Sequence, residues 1–199
     1  MATLLDLEIQ KGDTYSPVIR WAVLPFIYKA ITAIANTAPV RITAAGHGLA
    51  SGWPAAVVSA QGMKEINASS PPKDDEYLPV TIVDGNTVEF NTVNASLFSK
   101  YTSGGYLQYY TPAPLSGRTA RMQVKDKDGN VLLALTSDNG RILLDDTNHT
   151  ITLLLTAAET AAITWKHGAY DLEVANSDTP ETVTKLYYGT VFLNNEITT

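Results

Sequence analysis

The chain has 199 residues, a formal net charge of −6 and no cysteine. The missing cysteines exclude disulfides and thiolate metal sites, and the acidic balance argues against an electrostatic grip on nucleic acid. No secretory signal or membrane span is recognisable, because the N terminus lacks a basic and an apolar region and the longest apolar-leaning stretch, 22–35, contains Pro25 and Lys29. We therefore expect no membrane insertion and a protein that folds in a cytoplasm.

The first predicted strands lie near the N terminus. Leu5, Leu7 and Ile9 alternate with acidic residues, which is the period of a half-buried strand. A turn around Gly12 leads to a second predicted strand, Tyr15–Val23. Two strands alone are marginal in water, so we expect both to pair with the strand-rich C-terminal part of the chain.

The next segment has two competing interpretations. Ile31–Asn36 and Val40–Ala44 can form a hairpin around Pro39, or an amphipathic helix can occupy the same region. The hairpin is the preferred interpretation, and the helix remains the alternative. The apolar face of that helix would consist of Ile27, Ala30, Ile31 and Ile34.

Short strands and polar turns dominate residues 38–112. Ala55–Ala60 is predicted as a strand of small residues. Asp84-Gly85-Asn86 predicts a tight turn between strands at 78–83 and 87–90, because glycine and asparagine tolerate positive φ.

The C-terminal part reads as a series of strands with one short helix. Arg118–Lys125 alternates strictly, with apolar side chains on one face and charged or amide side chains on the other. Thr156 and Glu159 form the capping box of the one predicted helix. Further strands are predicted at Val131–Thr136, Ile142–Leu144, Thr150–Leu155, Tyr170–Val174, Val183–Tyr188 and Thr190–Leu193.

These patterns predict an all-β protein that contains a compact β-sandwich with one short helix. The sandwich would be discontinuous and built from residues 1–37 and 113–199. Residues 38–112 would form a small inserted β-module, since insertions are tolerated at loop tips.

No catalytic or metal-binding constellation is recognisable in the sequence. Gly46-x-Gly48-x-x-x-Gly52 has the wrong spacing for a dinucleotide loop. Asp126-x-Asp128-Gly-Asn130 is similar to the start of a calcium loop, but Ser137 stands where an EF-hand needs glutamate, which leaves a β-turn or a weak surface cation site. The three histidines lack metal-ligand spacing and are expected in loops. We therefore expect no enzyme activity, no cofactor and no metal.

Tyrosines are the candidate binding residues. On an exposed sheet face their side chains can anchor a protein interface or stack on sugars, although ordinary core packing is the preferred interpretation. Tyr170 is a candidate for the structural tyrosine corner of a β-sandwich. The candidates for interface or glycan contact are Tyr101, Tyr106, Tyr109, Tyr110, Tyr187 and Tyr188.

Two sets of motifs, each taken in order, suggest a known kind of protein. The outer part of the chain contains the first set, Leu5–Tyr15, Ile19–Trp21, Arg118–Val124, Asn139–Ile142, Thr150–Leu153, Thr156–Ala162 and Tyr170–Glu173. This set resembles an Ig-like domain common in virion proteins of tailed phages, similar to the N-terminal domain of the baseplate upper protein. The middle segment contains the second set, Ile42–Leu49, Gly62–Met63, Val83–Val88 and Tyr101–Tyr106, which resembles a small β-module found in many phage tail proteins.

The resemblance implies an Ig-like β-sandwich and a structural role in a phage particle. The implied partners are other virion proteins of the tail, baseplate or fibre-attachment region, and further copies of the chain in a homo-oligomer. Two alternatives stay open: a capsid decoration or head-completion protein, and a carbohydrate-binding module that recognises a host glycan. The implied location is the virion.

Overall fold

The computed structural model describes residues 2–176 and 181–195. Strands account for 49% and helices for 6%, with one α-helix among the described residues, so the prediction of an all-β protein with one short helix is confirmed. The strands are β1 (Thr3–Leu4), β2 (Leu7–Gln10), β3 (Val18–Ile19), β4 (Ala22–Ala30), β5 (Ala33–Ala35), β6 (Val40–Thr43), β7 (Pro54–Val58), β8 (Leu78–Pro79), β9 (Thr81–Asp84), β10 (Thr87–Phe90), β11 (Tyr106–Pro112), β12 (Arg118–Lys125), β13 (Val131–Thr136), β14 (Ile142–Asp145), β15 (Thr150–Leu153), β16 (His167–Asn176) and β17 (Val183–Asn194). The α-helix is α1 (Ala157–Ala162), and 3-10 helices cover Lys64–Ile66 and Asp74–Glu76.

Two compact units make up the chain. The discontinuous unit comprises the described residues of Met1–Trp21 and Pro114–Thr199, and the central unit comprises Ala22–Ala113. Residues 22–37, which the sequence analysis assigned to the outer domain, therefore belong to the central unit. The reason is strand pairing, because β4 pairs with β11 and β5 pairs with β6.

Two sheets build the discontinuous unit. The six-stranded sheet has the order β1-β17-β16-β12-β13, with β2 also paired to β17, and the three-stranded sheet has the order β14-β15-β3. Apolar side chains of both sheets form one buried cluster, which includes Met122 and Leu172 from the larger sheet and Ile151 and Leu153 from the smaller. The unit is thus a β-sandwich by its packing, and its Ig-like assignment stays a prediction.

The strand predictions hold best where the alternation is strict. β12 has the predicted bounds, and its apolar residues Ala120, Met122 and Val124 are buried. β17 is one continuous strand, although the sequence analysis split it at Gly189. This glycine lets the N-terminal segment pass close by, because a Cβ atom there would lie 2.9 Å from Asp6 Oδ1 and would also meet the Leu5 carbonyl oxygen.

The predicted strand Tyr15–Val23 is wrong as a single element. Only Val18–Ile19 forms a strand with β15, Tyr15 makes an isolated bridge to Leu155, and Ala22 already begins β4. Pro17 contributes to this break because it has no N–H group to continue a ladder.

The capping box of α1 is confirmed. The backbone N–H of Thr156 donates to Glu159 Oε2 at 2.8 Å, and the N–H of Glu159 donates back to Thr156 Oγ1 at 3.3 Å. This reciprocal pair satisfies donors that a helix start leaves without partners. The buried Thr160 hydroxyl donates to the Asp13 carbonyl oxygen at 2.7 Å, so the helix is also held to the N-terminal segment.

Two four-stranded sheets build the central unit, in the orders β5-β6-β10-β9 and β4-β11-β7-β8. The hairpin interpretation is confirmed, since β5 and β6 pair antiparallel with Ile34 opposite Ile42. The helical interpretation is wrong, because Ile27 lies in β4 and Ile34 in β5. The turn at Asp84–Asn86 joins β9 to β10 as predicted, and Asp84 Oδ1 accepts from the N–H of Asn86 at 2.7 Å.

Tyr170 fixes the N-terminal segment rather than forming the predicted tyrosine corner. Its hydroxyl donates to the Leu5 carbonyl oxygen at 2.7 Å. A tyrosine corner bonds backbone a few residues upstream, whereas Leu5 comes 165 positions earlier. Tyr15 packs against the same core, but its buried hydroxyl has no hydrogen-bond partner among the described residues, and burial raises its pKa to about 12.

We expect the two tyrosines to respond differently to loss of the hydroxyl. Tyr170→Phe leaves the Leu5 carbonyl without its donor and should lower the free energy of unfolding by about 1–2 kcal/mol. Tyr15→Phe removes a buried hydroxyl that makes no such bond and should change the free energy of unfolding by less than about 0.5 kcal/mol or raise it. Urea unfolding of both variants checks the pair, and equal losses would contradict it.

Candidate binding surfaces

The outer face of sheet β4-β11-β7-β8 carries a row of aromatic and amide side chains. In the register of β11 with β4, Tyr110 lies opposite Phe26, and Gln108 lies opposite Tyr28. Tyr106 is two residues before Gln108 and therefore shares its face, because side chains of a strand alternate between faces. The residues between them, Leu107 and Tyr109, belong to the buried core of the central unit.

Five rings of the central unit form a connected aromatic cluster. Tyr28 and Tyr106 meet edge to face, with ring centroids 6.1 Å apart and planes at 90°. The ring centroids of Phe26 and Tyr110 are 4.4 Å apart. The rings of Phe26 and Tyr77 are stacked, with centroids 6.2 Å apart and planes at 6° to each other. Tyr28 is 52% and Tyr106 46% exposed, so two rings of the cluster face solvent.

The cluster borders a groove with a volume of about 740 Å³, which we call the aromatic groove. At this groove the Gln108 side chain is 4% exposed, and its Nε2 donates to the Tyr77 hydroxyl at 2.7 Å. Burial, followed by the nearby Tyr110, raises the pKa of Tyr77 above its usual value, so this hydroxyl stays protonated. The groove is lined by Phe26, Tyr28, Tyr77, Tyr106, Gln108 and Ser59, together with Val58, Ser70, Pro71 and Pro72.

The structure places the four predicted tyrosines of the middle segment in different surroundings. Tyr106 lies exposed at the aromatic groove, and Tyr110 is half-buried in the ring cluster. The Tyr101 hydroxyl donates to the carbonyl oxygens of Ile31 at 2.9 Å and Gly104 at 3.0 Å and so holds local backbone.

Tyr109 belongs to the core rather than to a contact surface. It is 1% exposed, its hydroxyl donates to the His47 carbonyl oxygen, and burial raises its pKa to about 12. A side chain so enclosed cannot touch a glycan or a protein partner in this structure. The predicted contact role is therefore corrected to a packing role, because Tyr109 and Tyr106 point to opposite faces of β11.

Tyr187 and Tyr188 also differ. Tyr187 packs against the core of the discontinuous unit, its hydroxyl donates to the Arg20 carbonyl oxygen at 3.2 Å, and burial raises its pKa. Tyr188 is 44% exposed and is the register partner of Leu4, which is 63% exposed. Phe192, at 42% exposure, lies four residues further along β17 on the same face. We call Leu4, Tyr188 and Phe192 the apolar row.

Two ion pairs lie on the same face of the six-stranded sheet as the apolar row, and Glu8, the register partner of Phe192, accepts a hydrogen bond from Asn194. Arg121 Nε lies 2.9 Å from Glu173 Oε2, and Lys185 Nζ lies 2.8 Å from Asp171 Oδ2. Exposed pairs of this kind contribute little to stability, but they leave the centre of this sheet face with no large field of one sign.

The remaining candidates from the sequence have structural roles. His47 is buried, with Nδ1 accepting from the N–H of Leu49 at 3.1 Å and Nε2 lying 2.9 Å from the Asp84 carbonyl oxygen, so it braces its loop. Asp126 accepts hydrogen bonds within its turn from Asp128 and Asn130, which occupies the oxygens that a cation would need. Within residues 2–176 and 181–195, no group of three or more histidine, cysteine, aspartate or glutamate side chains could hold a metal.

The carboxylate of Glu76 makes the stability of the protein depend on pH. This carboxylate accepts from the N–H of Lys73 and from the hydroxyl and N–H of Ser69, and these bonds lower its pKa from 4.5 to about 2. A depressed folded-state pKa means that this stabilisation is complete above about pH 4.5 and is lost as the pH falls towards 2. We expect Glu76→Gln to lower the urea midpoint of unfolding at pH 6. Near pH 2 the midpoints of the variant and the unsubstituted protein should become equal.

The matched control is the neighbouring Asp75→Asn, for which no carboxylate hydrogen bond is described and whose side chain is exposed. This variant should unfold like the parent protein at both pH values. An unchanged midpoint of Glu76→Gln at pH 6 would contradict the structural role of its carboxylate.

Of the ten residues that line the aromatic groove, the sequence analysis proposed only Tyr106 as a contact residue. Phe26 and Tyr28 carry a usable signal, because their i, i+2 spacing matches that of Tyr106 and Gln108 on the paired strand. Tyr77 offers no such signal, since it follows a 3-10 helix and reaches the groove only through the tertiary fold. Leu4 and Phe192 become a row only once β1 pairs with β17.

Comparisons with known proteins add no assignment. No protein-family model and no curated protein sequence matches the chain. Among the described residues, no helix is both long and apolar enough to cross a bilayer.

Proposed function

We propose that the protein is a non-catalytic structural component of a phage particle that docks onto other virion proteins. The observation that carries this proposal is the apolar row on the outer face of the six-stranded sheet. Leu4, Tyr188 and Phe192 are each more than 40% exposed and lie on adjacent strands. The order of the sequence motifs, which resemble phage tail domains, selects virion proteins as the partners.

The apolar row has the composition of an interface centre. Tyrosine and phenylalanine are enriched in the buried cores of protein interfaces, where charged side chains are depleted. The paired charges of Arg121 with Glu173 and of Lys185 with Asp171 are then suited to a polar rim. Isolated exposed apolar residues need no explanation, but three on one sheet face form a surface that a partner can cover.

The test uses the phage that encodes the chain. Tyr188→Ala combined with Leu4→Ala should reduce the amount of the protein in purified particles at least about tenfold, as measured by quantitative mass spectrometry. The matched control is Tyr106→Ala, which removes an equally exposed tyrosine from the other unit and should leave incorporation unchanged. Absence of the unsubstituted chain from purified particles would overturn the proposal.

The proposal places the protein at the tail, baseplate or fibre-attachment region, arranged in copies by the symmetry of the particle. A cryo-EM map of the intact particle distinguishes this location from the surface of the head. Density for the chain on the capsid would replace the tail assignment by the capsid decoration or head-completion alternative. It would leave the docking function itself in place.

A further inference from the structure

We propose that the aromatic groove of the central unit binds a neutral oligosaccharide. This inference is independent of virion docking, because it rests on other residues in the other unit. The groove combines exposed ring faces, an enclosed amide and several hydroxyl groups. That combination suits a ligand whose ring carries both apolar C–H faces and many hydroxyl donors.

The first argument is charge. None of the ten residues that line the groove is charged, although the protein as a whole has a net charge of −6. A charged ligand would give up its hydration here without an ion partner, which is costly. The groove therefore favours a neutral ligand.

The second argument is the amide of Gln108. This side chain is 4% exposed, and its only side-chain hydrogen bond among the described residues is the one that Nε2 donates to the Tyr77 hydroxyl. Its amide oxygen accepts no hydrogen bond from any described residue. This oxygen keeps contact with solvent at the groove, so it can accept a hydrogen bond from a hydroxyl group of a bound molecule.

The third argument is the arrangement of rings around that amide. Gln108 lies opposite Tyr28 on the paired strand and two residues after Tyr106 on its own strand. The rings of Tyr28 and Tyr106 are each about half exposed, and their planes are at 90° to each other. A sugar ring placed over Gln108 can pack its C–H groups against one of these rings while its hydroxyls reach the amide. The groove volume of about 740 Å³ lies within the usual range for small-ligand sites.

Proline-rich peptides are the rival occupants, because they too bind in aromatic-lined grooves. The observations favour a sugar over such a peptide. Proline has no N–H group, so a proline-rich segment offers few donors to the Gln108 amide oxygen. A sugar offers a donor on almost every ring carbon.

The experiment titrates the isotopically labelled full chain with four probes: maltohexaose, cellohexaose, chitohexaose and mannohexaose. We expect at least one probe to shift the Gln108 side-chain amide signals in two-dimensional NMR spectra, with a Kd of about 1 mM or tighter. Tyr106→Ala and Tyr28→Ala should each weaken that binding by at least about tenfold. Tyr188→Ala, an equally exposed tyrosine in the discontinuous unit, should leave the Kd unchanged.

Three results would overturn the inference. They are the absence of any shift with all four probes at about 10 mM, a Kd that Tyr106→Ala and Tyr28→Ala leave unchanged, and shifts at Gln108 caused by decaproline but by none of the sugars. The last result would assign the groove to peptides. Because the titration uses purified protein, its outcome does not depend on whether the chain enters a phage particle.

Discussion

Replacing Gly105 by alanine is expected to lower the free energy of unfolding by about 2–5 kcal/mol. Gly105 has a φ of +83°, which costs an alanine about 1–2 kcal/mol. An added Cβ atom would also lie 2.7 Å from both the Cα and the N atom of Ala60, where only a shift of backbone could relieve the contact. Overpacking of this kind costs about 1–3 kcal/mol more.

The neighbouring Gly104 provides a matched control. Its φ is +68°, but a Cβ atom there would meet nothing closer than Gln61 Cγ at 3.8 Å. Gly104→Ala should therefore cost only the backbone strain of about 1–2 kcal/mol. Urea unfolding of both variants measures the difference, and a Gly105→Ala loss no larger than that of Gly104→Ala would show that the backbone at Gly105 and Ala60 does not approach as closely as described.

Tyr109→Ala is expected to destabilise the protein by about 3–5 kcal/mol, because it empties the space of a large aromatic side chain in a close-packed core. Tyr109→Phe keeps the ring but removes the bond from its hydroxyl to the His47 carbonyl oxygen, so it should cost about 1–2 kcal/mol. Thermal or urea unfolding of the two variants separates the packing from the hydrogen bond.

Tyr106→Ala is the control for this pair, since it removes a tyrosine from the same strand on the solvent side. We expect it to change the free energy of unfolding by no more than about 0.5 kcal/mol. If both alanine variants had small effects, Tyr109 would not be a core residue. The comparison also prevents loss of folding in Tyr109→Ala from being read as loss of a ligand contact.

Local patterns in the sequence predicted much of the fold. The alternation in Arg118–Lys125, the capping box of Thr156 with Glu159 and the turn at Asp84–Asn86 are all present in the structure. Each of these features depends on residues within about one turn or one strand. These features can therefore be predicted without knowing the tertiary contacts.

Features that depend on pairing partners were less predictable. Whether Ala22–Ala30 continues the N-terminal strand or joins the central unit is decided by β11, which lies some eighty residues later. The same limit applies to the tyrosines, because periodicity separates the two faces of β11 but does not say which face is covered. Gln108 is a candidate binding residue only because the fold brings Tyr28 and Tyr77 next to it.

The parallel pairing of β1 and β2 with β17 has a consequence for how the protein forms during translation. The larger sheet of the discontinuous unit is incomplete until β17 has left the ribosome, so β1 and β2 have no pairing partner before that point. Ala22–Ala113 is continuous in sequence and can complete its own contacts earlier. A nascent chain arrested just before β17 should therefore already protect the central segment from protease while Leu7 and Ile9 remain open to cleavage.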